Sequence, residues 1–151
     1  MTQLRKLLVG FLLIVAMPCA AAFAQDKPGP DKIVVQVNED DAKHMNLALN
    51  NVQNILAYYK EKGEEVKIEV VAFGPGLHML RQDTSPVKDR ITMVSTANPQ
   101  VQFSACANTL NNMTKQEGGT KPSIVSEAKM VAAGVVRIVE LQKQGYFYLR
   151  P

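Results

Sequence analysis

Short apolar segments alternate with segments of helical periodicity along the chain, and this alternation constrains the fold more than any other feature. Each apolar segment is bounded by residues that favour turns, which predicts buried strands. The predicted strands are residues 33–37, 66–73, 101–103, 128–132 and 146–149. Strands that alternate with amphipathic helices build a mainly parallel sheet with helices on its faces. The sequence therefore predicts an α/β protein, a three-layer α/β/α sandwich with a mainly parallel sheet of about five strands.

The first helical segment has the clearest periodicity. Its apolar side chains recur at three- and four-residue steps and are Met45, Ala48, Leu49, Val52, Ile55, Leu56 and Tyr59. Asp40 or Asp41 can cap its start, because a carboxylate accepts hydrogen bonds from unpaired backbone N–H groups. Gly63 is predicted to end it. Further helical segments are predicted at 76–80, 87–93, 134–144 and from Leu110 to the glycines at 118 and 119.

The first 24 residues have the pattern of a secretory signal peptide. Arg5 and Lys6 precede the apolar run LLVGFLLIVA, and Ala22-Phe23-Ala24 offers small residues for cleavage after position 24. The apolar run is short for a membrane span, and an uncleaved anchor is the alternative. Residues 25–31, QDKPGPD, are predicted to be a flexible leader, and residues 32–151 a single domain. We therefore expect a periplasmic or secreted protein with no stable membrane insertion after cleavage.

The charge balance argues against a polyanionic partner. The whole chain has 17 basic and 14 acidic residues, and the predicted signal peptide contains two of the basic ones. The remaining domain is close to neutral, at +1. A near-neutral surface gives no electrostatic reason to bind nucleic acid or an anionic membrane.

Cysteine content is more informative than charge. Cys19 lies in the predicted signal peptide, so Cys106 is the one cysteine expected in the exported protein. A single thiol in an oxidising compartment is buried and inert, pairs between chains, or is used chemically. The sequence has no cluster of histidines and cysteines for zinc, and we expect neither a metal nor a cofactor.

Cys106 follows a predicted strand and precedes a predicted helix. Ligands of open α/β sheets bind at the carboxyl ends of the strands, here residues 38–41, 74–76, 104–108 and 132–134. A cysteine at a helix start faces unpaired N–H groups, which favour the nucleophilic thiolate. Ser104, Asn108 and Thr109 could add hydrogen bonds to it. The alternative is that Cys106 is a small packing residue.

Glycines mark two other turns at the predicted edge. Gly74-Pro75-Gly76 could offer backbone N–H groups to an anion, as could Gly134, although a plain turn between strand and helix is the alternative for both. His78 follows the first of these turns, and we interpret it as a surface or hydrogen-bonded side chain.

Four segments together resemble the DsrE/DsrF-like proteins, in particular their small exported members. They are IVVQVNED, VVAFGPG, VQFSACANTL and the closing AAGVVRIVELQKQGYFYLRP, of which FSACANTL and GVVRIVELQKQGYFYLRP are the most specific. The resemblance covers nearly the whole predicted domain. It implies a three-layer α/β/α fold, assembly as a homo-oligomer (trimer or hexamer), and sulfur relay through a persulfide on one cysteine. Cys106 stands at the position of that cysteine.

Two main hypotheses follow. In the first, the protein is an exported sulfur carrier, similar to sulfurtransferases, that uses Cys106 and exchanges sulfur with donor and acceptor proteins. Export would require partners other than those of cytoplasmic relays. In the second, it is a non-catalytic oligomeric binding protein of the same fold, and Cys106 is structural. A third hypothesis is a redox sensor in which Cys106 forms a sulfenate or an intersubunit disulfide.

Overall fold

A computed structural model describes residues 29–151. The predicted signal peptide, residues 1–24, and residues 25–28 of the predicted leader lie outside the described residues. The strands are β1 (Asp31–Val37), β2 (Val66–Ala72), β3 (Val101–Cys106), β4 (Ala128–Val131) and β5 (Phe147–Leu149). The helices are α1 (Ala42–Lys62), α2 (Lys88–Ala97), α3 (Ala107–Gln116) and α4 (Gly134–Lys143), with a 3-10 helix at Gly74–Leu80.

The five strands form one parallel sheet in the order β4-β3-β2-β1-β5. Each strand therefore ends at the same edge, and the helices cover both faces. This confirms the predicted α/β class and the three-layer sandwich.

The larger core lies between the sheet and the helices α1, α2 and α3. Alternate residues of the central strands point into it, including Val35, Val70 and Phe103. These residues are at most 1% exposed, so this face supplies most of the apolar burial that stabilises the fold.

The smaller core lies on the other face, beneath α4. Val34 and Val71 of the sheet pack there against Ile138 and Leu141 of the helix. One ten-residue helix is the main cover of this face in the described residues. Three valines on its outer side remain about half exposed, namely Val135, Val136 and Val139.

Two strand boundaries differ from the prediction by more than one residue. Strand β1 begins at Asp31, inside the predicted leader, because Asp31 pairs with Val66 of β2 and accepts a hydrogen bond from the Tyr59 hydroxyl. Strand β3 continues past Phe103 to Cys106, because these added residues pair with β4. Such pairing partners are distant in sequence and leave no local pattern.

The predicted ends of α1 are confirmed. The Asp41 carboxylate accepts a hydrogen bond from the His44 N–H at 2.9 Å, and Gly63 closes the helix in the left-handed conformation at φ 65°. Within residues 29–151, no helix is both long and apolar enough to cross a bilayer.

Candidate functional site

Cys106 is the last residue of β3 and also the N-cap of α3. Its Sγ accepts a hydrogen bond from the backbone N–H of Thr109 at an N–S distance of 3.4 Å, in the manner of a serine N-cap. The residue is 4% exposed. The sequence placed Cys106 in a loop, whereas the structure holds it within the sheet hydrogen-bonding pattern, opposite Val131 of β4.

The start of a second helix meets the same sulfur. After β4 the chain turns into α4, and the Gly134 N–H faces Cys106 closely enough to lower the pKa of the thiol. The two helix starts are also joined directly, because the Asn108 N–H donates to the Ala132 carbonyl at 3.2 Å. Helix α3 packs on one face of the sheet and α4 on the other. Cys106 therefore lies where the connections diverge, the usual ligand position in parallel α/β sheets.

The electrostatic environment of Cys106 favours the thiolate. Burial raises the pKa of the thiol, because a charged sulfur loses hydration. The Thr109 hydroxyl and the backbone N–H groups of Gly134, Thr109 and Asn108 present positive partial charge to the sulfur and act in the opposite direction. Of these groups, the Thr109 N–H is hydrogen-bonded to Sγ. Together they outweigh burial, and the pKa of Cys106 lies below its ordinary value. Two helix N-termini directed at one sulfur explain the sign of this shift.

Thr109 connects the glycine turn to the thiol. The Gly74 N–H donates to Thr109 Oγ1 at 2.9 Å, and the same hydroxyl lowers the pKa of Cys106. Gly74 has a φ of 54°, which a side chain would strain. The structure therefore brings Gly74, Thr109, Asn108 and Gly134 together around Cys106.

Pro75 and Gly76 have a structural role in the turn after β2 rather than a role at the thiol. Pro75 occupies the start of the 3-10 helix. A Cβ on Gly76 would lie 2.5 Å from the Val37 carbonyl oxygen, so only glycine allows this turn to pack against the end of β1. The prediction that the Gly76 N–H could bind an anion stays a prediction, because this contact concerns the Cβ direction and not the N–H.

Gly134 is under a similar steric limit. A Cβ at this position would lie 2.7 Å from Cβ of Phe73, the residue that follows β2. The absence of a side chain lets the start of α4 approach the sheet edge closely. This close approach is what brings the Gly134 N–H to Cys106.

Ser104 does not contact Cys106, contrary to the prediction. It is 1% exposed within β3, and its hydroxyl donates to Oε1 of Glu69 at 2.6 Å. Because β3 extends to Cys106, Ser104 lies two residues back on the strand and points beneath α4. Its partner is a buried charge instead of the thiol.

The buried Glu69 forms an ion pair with the partly exposed Arg137, which sequence reasoning missed. Glu69 is 4% exposed, and its carboxylate accepts from Arg137 Nε at 2.8 Å and from Arg137 Nη2 at 2.7 Å. A charged residue inside the apolar strand VKIEVVA was the available signal, because a charge buried in a parallel sheet requires a partner. Lys67, its neighbour in the alternating pattern, is exposed.

The histidine near the edge has ordinary hydrogen-bond partners. His78 Nδ1 lies 2.5 Å from Oδ1 of Asp40, and Nε2 lies 2.9 Å from the Thr84 carbonyl oxygen. These contacts join the 3-10 helix to the segments around it, as expected of a hydrogen-bonded surface histidine.

A cavity of about 440 Å³ lies at the opposite end of the sheet. Leu56, Tyr59 and Val66 contribute to its lining, near the amino end of β2. It is separated from Cys106 by the length of the strands and is not part of the candidate site.

The fold and the site define a class, a parallel α/β sandwich with a cysteine at two helix N-termini on the carboxyl edge of the sheet. The chain is 31% identical to MTH1491 from Methanobacterium thermoautotrophicum, a protein of unknown function. Its solved structure matches with a TM-score of 0.67, over 80% of this chain and 99% of that one. The chain therefore belongs to the same family as MTH1491. No protein-family model and no curated protein matches the sequence.

Proposed function

We propose that the protein is a sulfur carrier of the DsrE/DsrF-like type, with Cys106 as the residue that receives and releases sulfane sulfur. The observation that carries the proposal is the convergence of two helix N-termini on the Cys106 sulfur. The Thr109 N–H is hydrogen-bonded to the sulfur, the Gly134 N–H faces it, and the pKa of the thiol is lowered. A thiolate is the nucleophilic form of cysteine, and this environment favours it.

The proposed step is a thiolate–persulfide exchange. The Cys106 thiolate attacks the terminal sulfur of a donor persulfide, a new S–S bond forms on Cys106, and the donor S–S bond breaks. The donor leaves as a thiolate that takes the electron pair of the broken bond. No external oxidant or reductant is required, because one sulfane sulfur moves between two thiols. Transfer to an acceptor thiolate is the same step in reverse.

The donors around Cys106 suit each charged species of this exchange. Thr109 and the N–H groups of Gly134 and Asn108 supply positive partial charge that stabilises the free thiolate. The same groups would stabilise a persulfide anion, which carries its charge one atom further out. The proposal therefore requires that Cys106, 4% exposed, becomes accessible to a donor when a partner binds.

Self-association and export belong to the same proposal. Val135, Val136 and Val139 leave an apolar strip on the outer side of α4, 59%, 51% and 48% exposed. A trimer or hexamer would bury such a strip, since exposed apolar patches favour association. Export through residues 1–24 would place the carrier in the periplasm or the medium, with donor and acceptor proteins of that compartment.

A second candidate is a non-catalytic binding protein in which Cys106 is structural. Its support is that Sγ already serves as the N-cap of α3 and that the residue is buried. A serine could occupy that position, because its hydroxyl caps helices in the same geometry.

One experiment separates the two candidates. The purified protein is alkylated with iodoacetamide over a range of pH, and a second sample is incubated with polysulfide and weighed intact by mass spectrometry. Cys106→Ser is the control for the site, and Cys19→Ser removes the other cysteine of the sequence. The carrier proposal expects a mass gain of one sulfur atom that disappears in Cys106→Ser alone. A thiol that reacts only after denaturation, with no sulfur uptake, would contradict it and favour the structural role.

A further inference from the structure

The buried Glu69 carboxylate connects the two elements that meet at Cys106. It accepts a hydrogen bond from Ser104, which lies two residues before Cys106 on β3. It also accepts two parallel hydrogen bonds from Arg137, which lies one turn after Gly134 on α4. One side chain of β2 is thus bonded both to the strand that carries the thiol and to the helix whose start faces it.

The geometry of Arg137 makes this connection rigid. Both hydrogen bonds are shorter than 2.9 Å, and a bidentate guanidinium–carboxylate pair fixes orientation as well as distance. The Arg137 N–H donates to the Ala133 carbonyl at 2.9 Å, the first backbone bond of α4. The side chain that binds Glu69 therefore comes from the turn that carries the Gly134 N–H.

We propose that the Glu69–Arg137 pair is a positioning element that holds the start of α4 against the sheet, so that the Gly134 N–H stays directed at the Cys106 sulfur. Ser104 completes the connection by tying Glu69 to β3. The pair touches neither the thiol nor a substrate, so its effect is transmitted through the position of the helix. The proposal rests on the proposed function only in taking the thiolate as the working form of Cys106.

Other charged groups near the pair are peripheral. Glu140 Oε2 lies 3.8 Å from Arg137 Nη1 and is exposed, and the pKa of Tyr146 is raised by burial and then by the charge of Glu69. Neither group bonds to the carboxylate of Glu69 in the described structure. The test therefore removes the bidentate contact between Arg137 and Glu69.

The test uses variants that differ in what they remove. Arg137→Gln removes the positive charge and the bidentate hydrogen bonds to Glu69. Arg137→Lys keeps the charge but loses the bidentate geometry. Arg90→Gln is the matched control, because Arg90 also joins two helices through hydrogen bonds, to Asn46 and Asn50 of α1, on the other face of the sheet.

Thiolate formation is followed by ultraviolet absorbance against pH, with the corresponding Cys106→Ser protein subtracted to remove tyrosine and Cys19. This measurement requires no reagent to reach the thiol. We expect the Cys106 midpoint to move to higher pH in Arg137→Gln and, to a smaller extent, in Arg137→Lys. The fraction of thiolate at neutral pH should fall about threefold to tenfold, the effect of one displaced helix terminus. Arg90→Gln should match the wild type.

Arg137→Gln leaves the Glu69 charge buried and could prevent folding, so a double variant is included. Glu69→Gln with Arg137→Gln removes both charges and avoids an unpaired one. Circular dichroism and a cooperative thermal transition establish that each variant is folded. A folded double variant with the wild-type thiolate midpoint would overturn the proposal.

The same proteins separate this proposal from the proposed function. A shifted midpoint with no sulfur uptake by the wild type would support positioning and contradict the carrier function. Sulfur uptake by the wild type, together with an unshifted thiolate midpoint in the folded double variant, would support the carrier function and contradict the positioning role.

Discussion

Oγ1 of Thr109 accepts a hydrogen bond from the backbone N–H of Gly74 at 2.9 Å. Accepting this bond leaves the hydroxyl proton available to a second partner, and the Thr109 hydroxyl lowers the pKa of the nearby Cys106 thiol. The turn after β2 is thus bonded to a side chain that acts on the thiol at the end of β3. The contribution of the Thr109 hydroxyl to the pKa of Cys106 can therefore be measured separately from that of the helix N-termini.

Thr109→Val is expected to raise the pKa of Cys106 and to destabilise the fold. The valine keeps the shape but removes the donor to sulfur and the acceptor for Gly74. An N–H left without a partner costs about 1–2 kcal/mol in free energy of unfolding. Thiolate absorbance against pH and urea denaturation measure the two effects. Thr109→Ser is the control and should preserve both, and a Thr109→Val protein with the wild-type titration would show that the hydroxyl does not bond to sulfur.

Gly134→Ala is expected to destabilise the protein by overpacking. The new Cβ would lie 2.7 Å from Cβ of Phe73, so either α4 or the end of β2 must move, at a cost of about 1–3 kcal/mol. The Gly134 N–H would move with the helix, and the pKa of Cys106 should rise. Urea denaturation gives the first quantity. Gly29→Ala is the matched control, because no atom lies within 4 Å of a Cβ there; equal stability of the two variants would refute the steric argument.

Tyr59 is expected to titrate at higher pH than an ordinary tyrosine. A hydrogen bond to Asp31, followed by burial, raises the pKa of its phenol from 10.0 to about 12. Because the folded value is above the unfolded one, the stability from this bond is present below pH 10 and is lost as pH rises to about 12. Phenolate absorbance against pH measures this directly. Asp31→Asn should lower the pKa of Tyr59, and an unchanged titration curve would mean that the Tyr59 hydroxyl is not bonded to Asp31.

Val139→Lys is expected to reduce self-association. Val139 is 48% exposed on the outer side of α4, and a charge placed there would have to be buried in any interface formed by that helix. Light scattering coupled to size exclusion measures the mass of the assembly. Leu47→Lys on α1 is the control, since Leu47 is 45% exposed on the opposite layer. A wild-type protein that is already monomeric would refute the proposed oligomer.

Prediction from the sequence succeeded where the pattern is local. The five strands were placed from apolar runs, and the ends of α1 from Asp41 and Gly63, because burial and capping depend on neighbouring residues. The ends of β1 and β3 were misplaced, because Asp31 and Cys106 belong to strands through pairing partners on other strands.

The candidate site residues show the same difference between local patterns and distant partners. Thr109 follows Cys106 by three residues, the spacing of an N-cap bond, so a helix start in the sequence was enough to predict its hydrogen bond to the sulfur. Ser104 is just as close in sequence but lies farther back on the extended strand, with its hydroxyl on Glu69. Proximity along the chain was therefore insufficient once the strand was longer than predicted.

The amino-acid sequence alone determined a parallel α/β sandwich with Cys106 at the carboxyl edge, because alternating strands and helices leave few other arrangements. The tertiary structure decided which distant groups meet there. Sheet order and register bring Gly134 to the sulfur of Cys106 and pair Arg137 with Glu69 beneath α4. Hydrophobic periodicity specifies which face of an element is buried, but the partner of that face depends on packing among all the strands and helices together.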